Sequence, residues 1–100
     1  MSDIAKLQKL VDEEAVSMGH NRDPKIILLF LLEELGETAR AFLKESGHKE
    51  SNDRIVESYK QELGDVFFLL LSLASSRGIN LEEQLDYTIK KLKTRTLEDS

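Results

Sequence analysis

Carboxylates occur as two matched pairs inside the most apolar segments of the 100-residue chain. Glu34 and Glu37 are three positions apart, and Glu62 and Asp65 repeat that spacing, so each pair lies on one helix face. Apolar residues continue both faces, and an uncompensated carboxylate on a core face costs free energy. A divalent cation compensates four such groups best, and all-oxygen ligands favour a hard ion, Mg²⁺ or Mn²⁺. The spacing therefore predicts a metal site formed by Glu34, Glu37, Glu62 and Asp65.

Glu33 lies directly before the first pair, one position off the predicted ligand face. Its carboxylate is a candidate for binding a second ion, for orienting a water molecule, or for the solvated surface. Gly36 and Gly64 each interrupt an acidic segment, and glycine costs about 1 kcal/mol relative to alanine inside a helix. A close approach of another helix or of a ligand would explain both glycines.

Candidate substrate-binding groups lie near the carboxyl terminus, where the last predicted helix has a basic end. Lys91 and Arg95 share a face at i, i+4 spacing and are candidates for holding substrate phosphates. Favourable interaction of these cations with the helix dipole is the alternative explanation. His20 and His48 fall in predicted loops without a metal-ligand partner at useful spacing, which predicts surface positions for both.

Composition excludes several classes of protein. The chain has no cysteine, so it contains no disulfide, thiolate zinc site or cysteine nucleophile. Its net charge of −5 argues against general nucleic-acid binding, which needs a basic surface. The N-terminus lacks the apolar segment of a signal peptide, and the longest apolar run, residues 26–32, is too short to span a bilayer. We therefore expect a cytoplasmic protein that binds neither nucleic acid nor membrane.

The 3.6-residue apolar periodicity predicts one all-α domain over residues 1–100, with its core in residues 7–95. Asp23 is a predicted N-cap, with Pro24 at the first helical position. Gly78 suits the C′ position of the third helix, and Asn80 with Glu83 resembles a capping box. The predicted helices cover residues 3–18, 24–45, 53–76 and 81–96, and residues 96–100 form a frayed tail.

A short loop joins the second and third helices, so they should pack antiparallel in a bundle-like arrangement. The second helix is apolar before its acids, and the third is apolar after them. Antiparallel packing therefore brings the two carboxylate pairs together and aligns the apolar ends. The third helix is apolar nearly all round, which predicts assembly as a dimer or a dimer of dimers.

The paired motif resembles the MazG-like nucleoside triphosphate pyrophosphohydrolases. The similarity runs from about residue 7 to residue 95. Its first half is the stretch from Asp23 through the apolar run to Glu33-Glu34-Leu35-Gly36-Glu37. Its second half is Glu62-Leu63-Gly64-Asp65-Val66 together with residues 78–83.

The resemblance implies an all-α homo-oligomer that binds Mg²⁺ through the residues at positions 34, 37, 62 and 65. It implies hydrolysis of nucleoside triphosphates, including non-canonical or deoxy ones, to the monophosphate and pyrophosphate. Water activated at the metal would attack the α-phosphorus, with Glu33 as a further catalytic candidate. A housecleaning role in nucleotide metabolism is an expectation at the level of the family.

Members that favour deoxycytidine nucleotides place aromatic residues around the base. At those positions this chain has Met18, Lys44 and Leu69, so that base preference does not carry over. The asparagine that many relatives have near the end of the last helix is also missing, and Thr94 is the nearest counterpart.

Two other functions fit the sequence. Phosphoribosyl-ATP pyrophosphohydrolase of histidine biosynthesis has similar acidic motifs, and residues 76–83 would suit it. The second alternative is a helical interaction module without catalytic activity, in which the acids bind a structural cation or a partner's basic surface.

Overall fold

A computed structural model describes residues 3–46 and 59–99, which form four α-helices and contain no strand. The helices are α1 (Asp3–Ser17), α2 (Pro24–Glu45), α3 (Tyr59–Ser76) and α4 (Leu81–Asp99). The predicted all-α fold class is confirmed. The predicted start of the third helix, at residue 53, lies outside the described residues. No described helix has the length and apolar character needed to cross a membrane.

Local signals determine where the helices begin and end. Asp23 has extended backbone angles, and its side chain accepts a hydrogen bond from the backbone N–H two residues later, at 3.0 Å. Pro24 follows at the first position of α2, as predicted. Asn80 Oδ1 accepts from the N–H groups two and three residues later, at 3.0 and 3.3 Å. Gly78 has φ +66°, the left-handed conformation that ends α3.

Helices α2 and α3 pack against each other in opposite directions. At one end, the rings of Phe42 and Tyr59 lie 5.4 Å apart, and the Tyr59 backbone N–H donates to Glu45 Oε2 at 2.7 Å. At the other end, Ile27 of α2 and Leu69 of α3 line the same cavity. The late part of α2 thus meets the early part of α3, which confirms the predicted antiparallel pair.

Helix α1 packs across α3 and is attached to the α3–α4 turn through Gln8. Gln8 Nε2 donates to the Ile79 carbonyl at 2.7 Å, and Gln8 Oε1 accepts from the Leu81 N–H at 3.0 Å. The Ser75 hydroxyl donates to the Gln8 carbonyl at 3.1 Å. Gln8 is itself buried, and both ends of its amide are paired, as a buried amide requires.

Helix α4 packs mainly against α1 and does not lie along the α2–α3 pair in the described part of the chain. It continues to Asp99, three residues beyond the predicted end at residue 96. Residues 96–99 contain neither glycine nor proline, and the Thr96 hydroxyl donates to the Leu92 carbonyl at 3.0 Å within the helix. The sequence therefore offers no helix-breaking residue at the predicted end.

The apolar core is small, and much apolar surface stays exposed. No large side chain among the described residues is fully buried. Leu28, Leu29, Leu32 and Leu35 on α2 and Phe67 on α3 are all exposed by 45% or more. The buried apolar residues are Val11, Ala15, Ile27, Leu31, Ala41, Leu71 and Ala74.

The two helical glycines do not mark a close helix–helix approach within the chain. A Cβ built on Gly36 or on Gly64 meets no atom within 4 Å. The explanation by packing inside the described chain was therefore wrong. The space beside both glycines is open enough to admit a Cβ.

Candidate metal centre and adjoining cavity

Three carboxylates form a compact cluster between α2 and α3. Glu34 projects from α2, and Glu62 and Asp65 project from one face of α3 because they are three residues apart. One oxygen from each residue lies within 4.8 Å of the others. The antiparallel pairing of the helices brings these residues together, so part of the predicted acid set is adjacent in the folded chain.

The cluster changes the acidity of Glu34. The pKa of Glu34 is raised from 4.5 to about 7. Burial of the carboxyl is the largest cause, followed by the neighbouring Glu62 carboxyl and the negative charge of Glu37, Glu62 and Asp65. In the absence of a cation, Glu34 therefore holds a proton more readily than an ordinary glutamate at neutral pH.

Two carboxylate oxygens in the cluster lack hydrogen-bond partners. Glu34 Oε2 and Glu62 Oε2 are both buried at the atomic level and have no partner among the described residues. Buried acceptors normally have a partner, so these oxygens are available as ligands for a cation. A set of carboxylate oxygens suits Mg²⁺ or Mn²⁺ better than softer metals. The residues present thus fit a hard divalent ion.

Glu37 and Glu33 occupy different places around this cluster. Glu37 is partly buried one turn beyond Glu34, and its charge acts on Glu34, but its oxygens are outside the group of three. Its role as a fourth ligand stays a prediction. Glu33 is exposed and lines the cavity beside Glu34, so its side chain faces space that a substrate could occupy.

A cavity of about 400 Å³ adjoins the carboxylates, within the range typical of small-molecule sites. Its wall combines apolar side chains of α2 and α3 with polar groups from the α1–α2 loop. The lining residues are His20, Asn21, Ile27, Phe30, Glu33, Glu34, Leu69 and Ser72.

The sequence did not lead us to predict that the α1–α2 loop lines the cavity. His20 is exposed, as predicted, yet it also lines the cavity and packs edge-on against Phe68, with ring centroids 6.0 Å apart. Ile27, Phe30 and Glu34 share one face of α2, and that face continues back towards the loop that precedes the helix. The i, i+3, i+7 spacing of these three residues was the signal that could have connected the loop to the site.

Arg22 holds this loop against the helices. Its Nη1 donates to Ser72 Oγ at 2.5 Å, and its Nη2 donates to Asp12 of α1, with which it forms an ion pair. The loop is thereby connected to α1 and α3 as well as to α2. Sequence spacing cannot identify this network because its members are 10 and 50 residues apart.

Lys91 and Arg95 are exposed on α4. Lys91 Nζ lies 5.9 Å from the centroid of the Tyr87 ring on the same helix. Because α4 packs mainly against α1, the described chain does not bring these cations together with the carboxylate cluster. Their contact with phosphate stays a prediction.

Comparison with known proteins identifies the family. The sequence profile of the MazG nucleotide pyrophosphohydrolase domain matches residues 22–98. The chain belongs to the MazG nucleotide pyrophosphohydrolase family. The match includes both acidic segments, the cavity residues of α2 and α3, and all of α4 up to residue 98.

A Bacillus subtilis protein is similar to this MazG-family chain in sequence and in structure. The uncharacterized protein YpjD is 40% identical over 73 residues, which cover 72% of this chain and 66% of YpjD, just under two thirds of its length. The crystal structure of YpjD, described as a proposed pyrophosphatase, superposes with a TM-score of 0.78 at 36% identity. That superposition covers 95% of this chain and 99% of the solved one.

Proposed function

We propose that the protein hydrolyses nucleoside triphosphates, including non-canonical or deoxy ones, to the monophosphate and pyrophosphate. Family membership supports hydrolysis of a nucleotide pyrophosphate bond. The observation that carries the proposal is the cluster of Glu34, Glu62 and Asp65 beside a cavity of about 400 Å³. The carboxylates proposed as cation ligands thus adjoin the cavity proposed to hold the nucleoside.

The carboxylates would hold a divalent cation, with Mg²⁺ as the proposed ion and Mn²⁺ as a substitute. Glu34, Glu62 and Asp65 supply the clustered oxygens, and Glu37 is the proposed fourth ligand. When bound, the cation neutralises the charge of the triphosphate and polarises the α-phosphoryl group. An acidic protein with a net charge of −5 needs such compensation to bind a polyanion.

The reaction adds water to the α-phosphorus and breaks the bond to the oxygen that bridges the α- and β-phosphates. Glu33 borders the cavity beside Glu34, and its exposed carboxylate is the proposed acceptor of a hydrogen bond from the attacking water. The oxygen of that water stays on the monophosphate, and the bridging oxygen leaves with pyrophosphate. No covalent nucleophile is required, because water itself attacks.

The direct test is pyrophosphate release from a panel of canonical and modified nucleoside triphosphates, with Mg²⁺ and with EDTA. We expect release that requires the metal and yields pyrophosphate and a monophosphate in equal amounts. Phosphoribosyl-ATP belongs in the panel, since its exclusive turnover would assign the chain to histidine biosynthesis. A folded, metal-binding protein that turns over no member of the panel would instead be a binding module.

We further propose that the protein assembles as a dimer or a dimer of dimers. The support is the apolar surface that the single chain leaves exposed, which includes the leucines of α2 at positions 28, 29, 32 and 35 and Phe67 of α3. Contiguous exposed apolar surface is typical of an interface with another copy. Light scattering coupled to size-exclusion chromatography tests this proposal, and a mass of 11.4 kDa at micromolar concentration would contradict it.

A further inference from the structure

The α1–α2 loop brings polar groups to the cavity that are not needed to bind a cation. His20 and Asn21 line the cavity together with Glu34. The N-cap Asp23 precedes Glu34 by 11 residues, which corresponds to about 16 Å along α2. The loop residues thus border the cavity near the start of α2, whereas Glu34 borders it about three turns further along the helix. A nucleotide with its phosphates at the carboxylates would place its nucleoside towards the loop.

The amide of Asn21 has a defined orientation. Its Oδ1 accepts a hydrogen bond from the Asp23 backbone N–H at 2.8 Å. A backbone N–H can only donate, so this bond identifies which atom of the amide is the oxygen. The acceptor of Asn21 is therefore used within the loop, while Nδ2 has no partner among the described residues. Asn21 consequently offers N–H donors to a ligand in the cavity.

Ser72, like Asn21, presents a hydrogen-bond donor to the cavity. Its Oγ accepts from Arg22 Nη1 at 2.5 Å, so the hydroxyl hydrogen is left to donate. Ser72 is 3% exposed and lines the same cavity as Asn21. Arg22 is held in turn by Asp12 of α1, which keeps this donor arrangement in place.

Flat and apolar walls complete this part of the cavity. The His20 ring is packed edge-on against Phe68, and Phe30 and Leu69 supply further apolar surface. Aromatic and aliphatic faces of this kind accept a planar ring without distinguishing one ring from another. Discrimination between bases therefore depends on the polar groups, among which Asn21 and Ser72 supply donors.

We infer that Asn21 determines base specificity and selects bases with a keto oxygen over bases with an amino group at the same ring position. This inference rests on the proposed nucleotide hydrolysis and names its substrate class. A keto oxygen accepts from the Asn21 amide, whereas an amino group would place one donor against another. The cavity of about 400 Å³ accommodates pyrimidines and purines, so the selection concerns the substituent and not the ring size.

The test uses two substrate pairs that differ at this substituent. They are dUTP with dCTP, and ITP with ATP. We expect kcat/KM to be at least roughly tenfold higher for the keto member of each pair, as one well-placed hydrogen bond to a base provides. Binding of dUMP and dCMP, measured by calorimetry, gives the same comparison without hydrolysis.

Asn21→Asp is the decisive variant. The aspartate retains an oxygen for the Asp23 N–H and replaces the amide donor with an acceptor of nearly equal size. We expect the ratio of keto to amino kcat/KM to fall by roughly tenfold or more. The added negative charge weakens both members of a pair alike, so it cancels in the ratio.

Asn80→Asp is the matched control. Asn80 Oδ1 also accepts from backbone N–H groups, but it caps α4 and does not line this cavity. The same chemical change there should leave the ratio as in the wild type. A wild type without keto preference, in turnover or in monophosphate binding, would overturn the inference. An unchanged ratio in folded Asn21→Asp would overturn it too, whereas silence of the wild type with every triphosphate would refute the proposed reaction.

Discussion

The two regions that form the cavity differ in chemistry and in how they are held. Glu34, Glu62 and Asp65 present acceptors and project from two regular helices. Asn21 and Ser72 present donors, and hydrogen bonds to neighbouring side chains or backbone groups fix their orientation. Helix geometry therefore places the groups proposed for the reaction, whereas the proposed specificity residue Asn21 lies in the irregular α1–α2 loop. This separation suggests that either function can be changed without the other.

The largest expected effect is a loss of pyrophosphate release when the carboxylate cluster, and not the loop, is altered. Asp65→Asn removes one charge from the cluster, and we expect pyrophosphate release to fall at least about a thousandfold for both members of a keto–amino pair. The ratio within each pair should stay unchanged, in contrast to Asn21→Asp. Steady-state kinetics with circular dichroism, to verify helix content, measures this.

The matched control for Asp65→Asn is Glu83→Gln, an equal loss of charge at an exposed residue of α4. It should retain wild-type turnover. The same assay on Glu37→Gln tests the fourth ligand, for which we expect a comparable loss. Full turnover of Asp65→Asn would contradict the assignment of the metal site, and full turnover of Glu37→Gln would remove Glu37 from it.

Metal-linked stability should also distinguish the two regions. A cation that binds only the folded state at 100 times its Kd stabilises by about 2.7 kcal/mol, or roughly 10 °C or more in Tm for a domain of this size. Mg²⁺ should raise the Tm of the wild type and of Asn21→Asp equally, and it should have little effect on Glu62→Gln. Thermal unfolding with Mg²⁺ and with EDTA measures the shift. No shift in the wild type at saturating Mg²⁺ would argue against a preformed site.

A smaller effect concerns the pH dependence of the protein without metal. Because the pKa of Glu34 rises from 4.5 to about 7 on folding, the native state binds its proton more tightly than the unfolded state. This contribution to stability is complete below pH 4.5 and is lost as the pH rises through about 7. Solvent screening at a partly exposed carboxyl limits the change to the order of 1 kcal/mol.

Glu34→Gln removes the titrating group and retains the shape of the side chain. In EDTA, the free energy of unfolding of the variant should lack the pH dependence that Glu34 contributes. The variant should therefore be more stable than the wild type at pH 8. Urea unfolding at pH 5 and pH 8 measures both differences. A wild type that gains stability relative to Glu34→Gln between these pH values would contradict the raised pKa of Glu34.

The smallest expected effect concerns α4. Lys91→Ala and Arg95→Ala should each raise KM only a few-fold, because α4 packs mainly against α1 within the chain and neither residue lines the cavity. The keto–amino ratio should not change. A loss of more than about a hundredfold in kcat/KM would show that α4 reaches the reacting phosphates, in which case a second copy must supply it.

The sequence predicted the helix-capping residues well, but it missed the end of α4 by three residues and predicted the packing of individual side chains less well. Asp23, Gly78 and Asn80 act within a few residues of themselves, and the predicted caps are present. On α1 the apolar Leu10 is 51% exposed, whereas the polar Gln8 is only 8% exposed. Gln8 is buried because the α3–α4 turn satisfies both ends of its amide, and a turn more than 70 residues away cannot be located from local periodicity.

Sequence alone determined the all-α class, the antiparallel α2–α3 pair and the adjacency of Glu34, Glu62 and Asp65. These features follow from helix periodicity, a short connection and the opposite apolar gradients of the two helices, all of which are local properties. Only the tertiary structure decided that Asn21 and Ser72 border the same cavity, and that α4 lies against α1. Those features depend on where the α1–α2 loop and the last helix dock, and docking is set by contacts between residues far apart in the chain.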